Sequence, residues 1–339
     1  MKASLRRRIE TRWYDNSGPF LLLLPLSWLF ALLSALRRGL FRSGLLRAPA
    51  LPVPVIVVGN ISVGGTGKTP IAVWLVKQLI DRGHRPGIVS RGYGGESARQ
   101  PRLVTDKDAK AYGDEPVLLA ALTGCPVCVC GDRVAAVRLV AQEGVTVVIS
   151  DDGLQHYRMR RVAEFVVVDG ERGFGNGHLL PAGPLREPVS RAYASDAMLI
   201  NGQSDQLTGI PFTLEQRDAV NLATGASRPL SAFAGQRVWG VAGIGNPGRF
   251  YRQLAKAGLQ IDEVPVPDHG SVSIEGLLRQ KDQPVVMTEK DAVKYPDVSA
   301  ENIWCVPVIA VCAPADCEKI MALVRNRLEE AESCSIDAV

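Results

Sequence analysis

The sequence lacks the marks of several protein classes. It has no internal repeat and no low-complexity tract, and its apolar (46%) and charged (22%) fractions lie inside the ordinary globular range. A disordered or collagen-like chain is therefore excluded, and the protein must build a hydrophobic core. Its 339 residues are enough for two domains, or for one large domain with appendages.

Metal-binding cysteine pairs are also missing. The seven cysteines are scattered, and Cys125, Cys128 and Cys130 lie in an apolar run with no histidine at metal-ligand spacing. A zinc site would need a second pair of ligands, which the sequence does not supply. An odd number of cysteines in such surroundings indicates buried free thiols in a reducing cytosol.

Excess positive charge is confined to the start of the chain. Before residue 48, nine Lys and Arg side chains stand against two acidic ones, although the whole chain has a net charge of only +4. The remainder is therefore slightly acidic, which argues against a nucleic-acid binder with a basic folded face. The basic segment instead favours an anionic membrane or a polyphosphate as its partner.

Only one segment is apolar enough to enter a membrane. Residues 19–36 are uncharged and are flanked by arginines on both sides, but Pro25 interrupts them. The length is at the lower limit for a span, and basic residues at both ends give no orientation signal. A helix lying in the cytoplasmic membrane interface, with Trp28 and Phe30 at the boundary, fits these features best. A buried core helix and a secretory signal peptide are the alternatives, and no convincing cleavage site follows.

The remaining chain alternates between short apolar strands and helices. Continuous apolar runs occur at residues 53–60, 87–90, 126–129, 145–150 and 165–168, with helical patterns such as 115–122 and 133–143 between them. Continuous rather than alternating runs predict an α/β fold, in which helices cover both faces of a mostly parallel sheet. The predicted regions are a membrane-associating segment (1–48), a P-loop core (49–200), an irregular bridge (201–234) and a smaller C-terminal α/β domain (235–339).

A glycine-rich segment after the first predicted strand fits a P-loop. The spacing is G-x-x-x-x-G-K-[ST], with Ser62 in place of the first glycine. Because a strand precedes it and a helix follows, backbone N–H groups and a helix N-terminus would converge on a polyphosphate. Lys68 would reach the β and γ phosphates and the Thr69 hydroxyl would bind Mg²⁺. The predicted nucleotide-binding residues are Ser62, Val63, Gly64, Gly65, Thr66, Gly67, Lys68 and Thr69.

Two adjacent carboxylates are the candidate metal ligands. A P-loop needs an acidic residue at the end of a neighbouring strand, and Asp151 and Asp152 follow the apolar run at 145–150. Asp-Asp-Gly is also an ordinary turn sequence, but two carboxylates at a buried strand end are costly without a cation. Asp169 with Gly170 repeats the pattern more weakly, and there a turn is favoured.

A second glycine motif invites a dinucleotide-binding interpretation. Residues 243–248 read G-x-G-x-x-G after a predicted strand. However, Asp262 and Glu263 precede the next strand, whereas a ribose-binding carboxylate should follow it. Asn246 and Pro247 also resemble a helix start. The sequence therefore argues against NAD binding.

Further motifs follow in order along the chain. They are Ser90-Arg-Gly-Tyr-Gly-Gly95, Gly113-Asp-Glu-Pro116, Gly131-Asp-Arg133, Asp151-Asp-Gly-Leu-Gln-His156, Leu180-Pro-Ala-Gly-Pro-Leu-Arg-Glu187 and Thr288-Glu-Lys-Asp-Ala-Val-Lys294. Together they resemble the tetraacyldisaccharide 4′-kinase family over nearly the whole chain. The resemblance implies a kinase, on the cytoplasmic face of the inner membrane, that uses ATP and Mg²⁺. Its acceptor would be the 4′-hydroxyl of a tetraacylated glucosamine disaccharide 1-phosphate and its product lipid IVA, with no nucleic acid and no obligate protein partner.

The resemblance also implies roles for single residues. Asp114 would be the catalytic base, paired with His269, while Lys68 would act on the phosphates. The aromatic residue expected shortly after the histidine is absent, since the chain continues Gly270-Ser-Val-Ser. The alternatives are that Asp114 only starts a helix and that His269 only occupies a loop. Candidates for contacts with phosphate or the disaccharide are Arg91, Tyr93, Arg133 and Arg186.

A membrane-associated P-loop GTPase or ATPase without lipid phosphorylation is the alternative function. Guanine selection usually requires Asn/Thr-Lys-x-Asp. In this chain Lys290 stands directly beside Asp291, which breaks that spacing.

Overall fold

The computed structural model describes residues 9, 11–15, 18, 20–96, 99–266, 270–280 and 283–336. Two β-sheets, of nine and six strands, organise these residues. The first sheet is built from β1 Val55–Gly59, β2 Pro86–Ser90, β3 Arg102–Leu103, β4 Val127–Val129, β5 Val147–Asp151, β6 Ala163–Asp169, β7 Ala197–Asn201, β8 Ile210–Gln216 and β15 Val308–Val311. The second contains β9 Ala219–Asn221, β10 Ser227–Arg228, β11 Arg237–Val241, β12 Gln260–Val264, β13 Val285–Thr288 and β14 Ile303–Val306.

The first sheet has the order β15-β8-β7-β6-β1-β5-β2-β4-β3. The seven neighbouring strands from β8 to β4 in this order, which include β1 and β2, pair in parallel. Only the edge strands β3 and β15 pair antiparallel with their neighbours. Its central strands are buried on both faces, as their continuous apolar sequences predict.

Ten helices have defined bounds within the described residues. They are α1 Leu24–Arg42, α2 Lys68–Asp81, α3 Ala109–Tyr112, α4 Asp114–Thr123, α5 Arg133–Val140, α6 Val189–Tyr193, α7 Pro247–Lys256, α8 Ile274–Gln280, α9 Glu289–Ala292 and α10 Pro314–Ile336. Helices α2, α4 and α10 pack on one face of the first sheet, through residues such as Ile71, Leu119 and Ile320. Helices α5 and α6 cover the other face with Val137 and Ala192. The predicted α/β fold is confirmed.

The second sheet forms a separate unit, which we call the second lobe (residues 219–306). Its order is β10-β9-β14-β13-β11-β12, parallel from β12 to β14 and antiparallel at β9 and β10. Helix α7 packs Phe250 and Leu254 against Val238 and Val286. The remaining sheet with its helices, residues 55–216 and 308–336, is the first lobe.

The predicted boundaries between the regions are wrong in two places. Residues 201–234 are not an irregular bridge, because β8 extends the first sheet while β9 and β10 belong to the second. In β8 buried and exposed side chains alternate, so the strand has no apolar run that the sequence could reveal. Residues 235–339 are not one domain either, since β15 and α10 return to the first lobe.

Pro307 marks the return of the chain to the first lobe. The sequence predicts one strand at residues 306–311, but the structure has β14 in the second sheet and β15 in the first, separated by this proline. The Pro307 carbonyl accepts a hydrogen bond from the Arg217 N–H at 2.9 Å. Arg217 lies where the chain leaves the first lobe, so the two segments that connect the lobes lie side by side.

Helix α1 lies on the surface of the first lobe. A 22-residue segment, Leu21–Arg42, is long and apolar enough to cross a membrane, and only 6% of its most apolar window is buried. Ser27 Oγ donates to the Leu179 carbonyl at 2.7 Å, and Arg38 lies 3.5 Å from Glu187. Exposed apolar side chains cover the other faces: Leu22, Leu26, Trp28, Leu29, Leu32, Leu33 and Leu36. The alternative of a buried core helix is therefore wrong.

Candidate functional site

The glycine-rich segment has the geometry that its sequence predicts. Strand β1 ends at Gly59, the loop follows, and α2 begins at Lys68. Gly67 has a φ of +97°, a left-handed conformation that favours glycine. The loop therefore leads into a helix N-terminus, and this strand, loop and helix order is the one that binds phosphate in P-loop proteins.

The loop lines a cavity of about 720 Å³ between the two lobes. Seven of the eight predicted nucleotide-binding residues line it, namely Val63, Gly64, Gly65, Thr66, Gly67, Lys68 and Thr69. Ser62 does not. It is buried and forms an isolated bridge with Leu185, so the residue that replaces the first motif glycine anchors the loop from behind.

The two predicted metal ligands differ in their surroundings. Asp151 ends β5 beside β1 and is 1% exposed, and its Oδ1 makes no hydrogen bond to any residue the structure describes. Burial, with a further contribution from the nearby Glu115 carboxylate, raises the pKa of Asp151 to about 7. A buried oxygen without a partner beside a second carboxylate is a strong candidate for a cation ligand.

Asp152 faces the basic groups of the cavity. Its backbone is left-handed, with a φ of 52°. Lys68 Nζ lies 3.8 Å from Oδ1, and Arg186 donates to Oδ2 at 3.0 Å. Burial opposes ionisation, but Lys68 and Arg186 together lower the pKa of Asp152 below its ordinary value. This carboxylate is ionised and fixes both cations at the mouth of the P-loop.

All four predicted phosphate- or sugar-contacting residues line the same cavity. Arg133 is 3% exposed and donates to the backbone carbonyls of Cys130 and Asp151. Burial lowers its pKa to about 10, which still leaves it charged at neutral pH. The other three are Arg91, Tyr93 and Arg186.

Asp114 begins α4, next to the cavity but not among its lining residues. It is 4% exposed, and Lys294 Nζ lies 3.8 Å from its Oδ2. The preceding Gly113 has a φ of +93°, and a side-chain carbon there would lie 2.7 Å from the Tyr93 carbonyl. The start of α4 therefore packs directly on the Arg91 to Tyr93 loop. His269, the predicted partner of Asp114, lies outside the described residues.

Three cavity residues were missed as functional candidates from the sequence. Glu115 follows Asp114 and faces Lys290 of α9 at 3.0 Å, and both belong to motifs that the sequence displays. Asn201 ends β7 and donates from Nδ2 to the Thr66 carbonyl at 3.1 Å. Its position at the carboxyl end of a parallel strand is the signal that could have identified it.

The second glycine motif packs against the P-loop. Gly245 lies so close to Gly65 that a side-chain carbon on Gly245 would overlap the Gly65 backbone nitrogen. Arg172 of the first lobe donates to the Gly245 carbonyl at 3.1 Å, and Arg249 pairs with Asp169 at 2.9 Å. The motif is thus part of the contact between the lobes at the P-loop, and its glycine is required by that close approach.

Comparisons with known proteins agree with this geometry. A family model described as tetraacyldisaccharide-1-P 4′-kinase matches residues 19–328. A tetraacyldisaccharide 4′-kinase of Methylobacillus flagellatus is 46% identical over 333 residues, which are 97% of this chain and 99% of that protein. One from Pasteurella multocida is 48% identical over 303 residues, 88% of this chain and 93% of that protein.

A solved structure is similar over most of the chain. It is the crystal structure of an "apo" form LpxK from Aquifex aeolicus in complex with ATP, which is 29% identical with a TM-score of 0.73. The match covers 90% of this chain and 98% of that one. The resemblance first drawn from the motifs is therefore confirmed, and the chain belongs to the tetraacyldisaccharide-1-P 4′-kinase family of lipid A biosynthesis.

Proposed function

We propose that the cavity between the lobes binds Mg-ATP and transfers its γ-phosphate to the 4′-hydroxyl of a tetraacylated disaccharide 1-phosphate, forming lipid IVA. The observation that carries this proposal is the P-loop, of which seven residues line the cavity at the N-terminus of α2. Such a terminus with Lys68 is a site for the β and γ phosphates. ATP in the crystal structure of the Aquifex aeolicus relative supports the choice of nucleotide.

The residues at the P-loop fit a bound Mg²⁺. Thr69 lines the cavity, Asp151 offers a buried oxygen without a hydrogen bond to any described residue, and Glu115 and Asp152 lie nearby. Within the described ranges no three His, Cys, Asp or Glu side chains form a closed metal site. Mg²⁺ in kinases needs none, because water and phosphate oxygens complete its shell. When bound, the ion neutralises charge on the β and γ phosphates.

The acceptor enters from the side of α1. Phe30, Ser34 and Arg37 of this helix line the same cavity as the P-loop. An apolar helix next to a phosphate site suits a molecule with acyl chains and a phosphorylated sugar. Arg91, Arg133 and Arg186 supply cations for the 1-phosphate or for the transferring phosphoryl group.

The exposed apolar faces of α1 lie in the cytoplasmic face of the inner membrane. Leucines and Trp28 cover these faces, while the basic residues of the first 47 positions suit anionic lipid headgroups. ATP is available on that side of the membrane. The helix therefore brings the cavity to the level at which a lipid sugar lies.

Asp114 accepts the proton of the 4′-hydroxyl as its oxygen attacks the γ-phosphorus and ADP leaves. Lys294 supports this role, because its Nζ lies 3.8 Å from Asp114 Oδ2. The same Nζ donates a hydrogen bond to the Gly270 carbonyl at 2.8 Å. The pairing of Asp114 with His269 rests on the family resemblance, because His269 lies outside the described residues. A histidine paired with the carboxylate would orient it and tune its basicity.

The test is incubation of the purified protein with Mg-ATP and the disaccharide 1-phosphate, followed by mass analysis of the lipid. We expect a product heavier by one phosphate, and loss of that product in the Asp114→Asn variant. GTP in place of ATP and omission of the lipid are the controls. Hydrolysis of GTP without the acceptor, and no phosphorylated lipid, would instead support the GTPase alternative.

A further inference from the structure

Two lysines of the second lobe face two consecutive acids of the first. Lys290 Nζ lies 3.0 Å from Glu115 Oε1, and Lys294 Nζ lies 3.8 Å from Asp114 Oδ2. Lys290 lies on α9, and Lys294 lies in the turn that follows this short helix. The acids form the first turn of α4. These contacts join the Thr288 to Lys294 motif to the Asp114 motif, although 175 positions separate Glu115 from Lys290.

The second lobe fixes the position of Lys294. Its side chain is 9% exposed, and Nζ donates to Asp291 Oδ1 and to the Gly270 carbonyl, both at 2.8 Å. Asp291 is itself held, since it accepts hydrogen bonds from Thr288 Oγ1 at 2.6 Å and from the Gly243 N–H at 2.8 Å. The ammonium group is therefore anchored on its own lobe before it meets Asp114.

We propose that Lys294 is a positioning residue for Asp114, an inference that rests on the proposed role of Asp114 as the base. The contact spans the two lobes, so the carboxylate receives this cation only while the lobes are docked. At 3.8 Å the contact is an ion pair rather than a hydrogen bond, and it attracts Oδ2 toward the second lobe while the Glu115 N–H donates to Oδ1 at 3.0 Å. Lys294 thereby sets the direction in which Asp114 presents its oxygen to the acceptor hydroxyl.

The two lysines have different roles. Lys290 lines the nucleotide cavity, whereas Lys294 is not among the lining residues and lies 3.8 Å from Asp114. A variant of Lys294 should therefore change the chemical step and leave ATP binding almost unchanged. A residue that served only to hold the lobes together would weaken the binding of substrates as well.

The first experiment compares Lys294→Met, Lys294→Gln and Lys294→Arg with Lys319→Met. Lys319 is 65% exposed and pairs with Asp316 on α10, so it controls for loss of a lysine remote from the cavity. We expect Lys294→Met to lower kcat about 100-fold, the cost of a misplaced catalytic group. KM for ATP and for the lipid should stay within about threefold, and Lys294→Arg should recover about tenfold of the loss. Lys294→Gln, which is shorter but keeps a hydrogen-bond donor, supplies the uncharged variant if Lys294→Met does not fold.

The second experiment is a double-mutant cycle with Asp114→Asn. If Lys294 acts through Asp114, Lys294→Met should change the residual rate of Asp114→Asn less than about threefold. An equal loss in both backgrounds, or an unchanged kcat in folded Lys294→Met and Lys294→Gln, would overturn the inference. Full activity of Asp114→Asn would instead reject the proposed base, whatever Lys294 does, so the two failures are distinguishable.

Discussion

The two adjacent carboxylates of the site differ in whether a cationic side chain pairs with them. Asp152 is paired with Lys68 and Arg186, whereas Asp151 keeps one oxygen without a hydrogen bond in the described structure. An ionised carboxylate without a partner is costly in a buried position. The raised pKa of Asp151 expresses this cost, which a cation beside it would remove.

The Thr69 hydroxyl offers the most direct test of the metal site. We predict that Thr69→Ala lowers kcat about 100-fold at saturating ATP, because one ligand that stabilises transition-state charge is lost. Thr69→Ser, which keeps the hydroxyl, should retain most of the activity. The measurement is kcat over a range of Mg²⁺ concentrations, with thermal unfolding to show that the fold is intact. Equal activity of both variants would contradict the assignment.

We predict that His156 makes the stability of the protein depend on pH. Burial, together with the positive charge of Arg133 and Arg161, lowers its pKa to about 4, and its Nε2 has no hydrogen bond to a described residue. The folded state therefore favours the neutral imidazole. Stability should be complete above the ordinary pKa of 6.5 and should fall as the pH drops toward 4.

The His156→Gln variant should lose less stability between about pH 7 and pH 4.5 than the natural protein. The thermal unfolding midpoint at each pH is the measurement. His84→Gln, in the turn between α2 and β2, is the matched variant and should follow the natural protein. Parallel profiles for all three proteins would show that His156 does not carry the effect.

At the scale of elements, the contact between the Gly245 loop and the P-loop supports the position of the P-loop. Neither loop has a side chain at the point of contact, so their backbones approach directly. Arg172 fixes the second-lobe loop through the Gly245 carbonyl. The position of the P-loop thus depends on both lobes.

We predict that Gly245→Val separates the two loops and raises KM for ATP about tenfold. The added side chain must displace the backbone of Gly65, an overpacking that costs about 1–3 kcal/mol. Gly248→Ala is the control, because the nearest atom to its new carbon would be the flexible end of Arg252 at 3.5 Å. An unchanged KM in Gly245→Val would mean that the loop contact does not shape the site.

Helix α1 supports a prediction about membrane binding. Leu29 and Leu33 are 50% and 56% exposed, one turn apart. Replacing both by Glu should abolish sedimentation with anionic lipid vesicles, because each buried leucine contributes about 1.5–3 kcal/mol. Ile80→Glu changes a comparably exposed apolar residue on α2 and should leave vesicle binding intact. Continued sedimentation of the double variant would contradict the interfacial role.

The sequence predicts the elements that are continuous along the chain and fails where distant segments meet. The P-loop could be predicted because strand β1, its loop and α2 are consecutive. The alternation in β8 and the division at Pro307 concealed two strands of the first sheet. The pairs Lys290 with Glu115 and Lys294 with Asp114 depend on how the lobes dock, which no local pattern reports.

At the scale of the whole molecule, the two lobes enclose the cavity that the P-loop lines, and ion pairs join the lobes around it. Asp169 with Arg249 and Glu115 with Lys290 join the lobes around the P-loop. Each lobe has a core of its own, so the lobes are separable in packing although they share the site. If Lys294 positions Asp114 as proposed, the reaction needs both lobes, because the P-loop lies in one and Lys294 in the other.

The pairing of β8 with β15 makes the second lobe an insertion within a single hairpin. Gln216 is in register with Val308 across this antiparallel pair, so residues 217–307 form an excursion between two adjacent strands. Replacing the excursion with Asn-Gly, a favoured two-residue hairpin turn, should yield a mini-protein that unfolds cooperatively. It should bind a fluorescent ATP analogue weakly and phosphorylate no lipid; a calorimetric scan without a transition would refute this modularity. The β8–β15 pair is thus a junction at which a folded module could be removed or exchanged without cutting the first sheet.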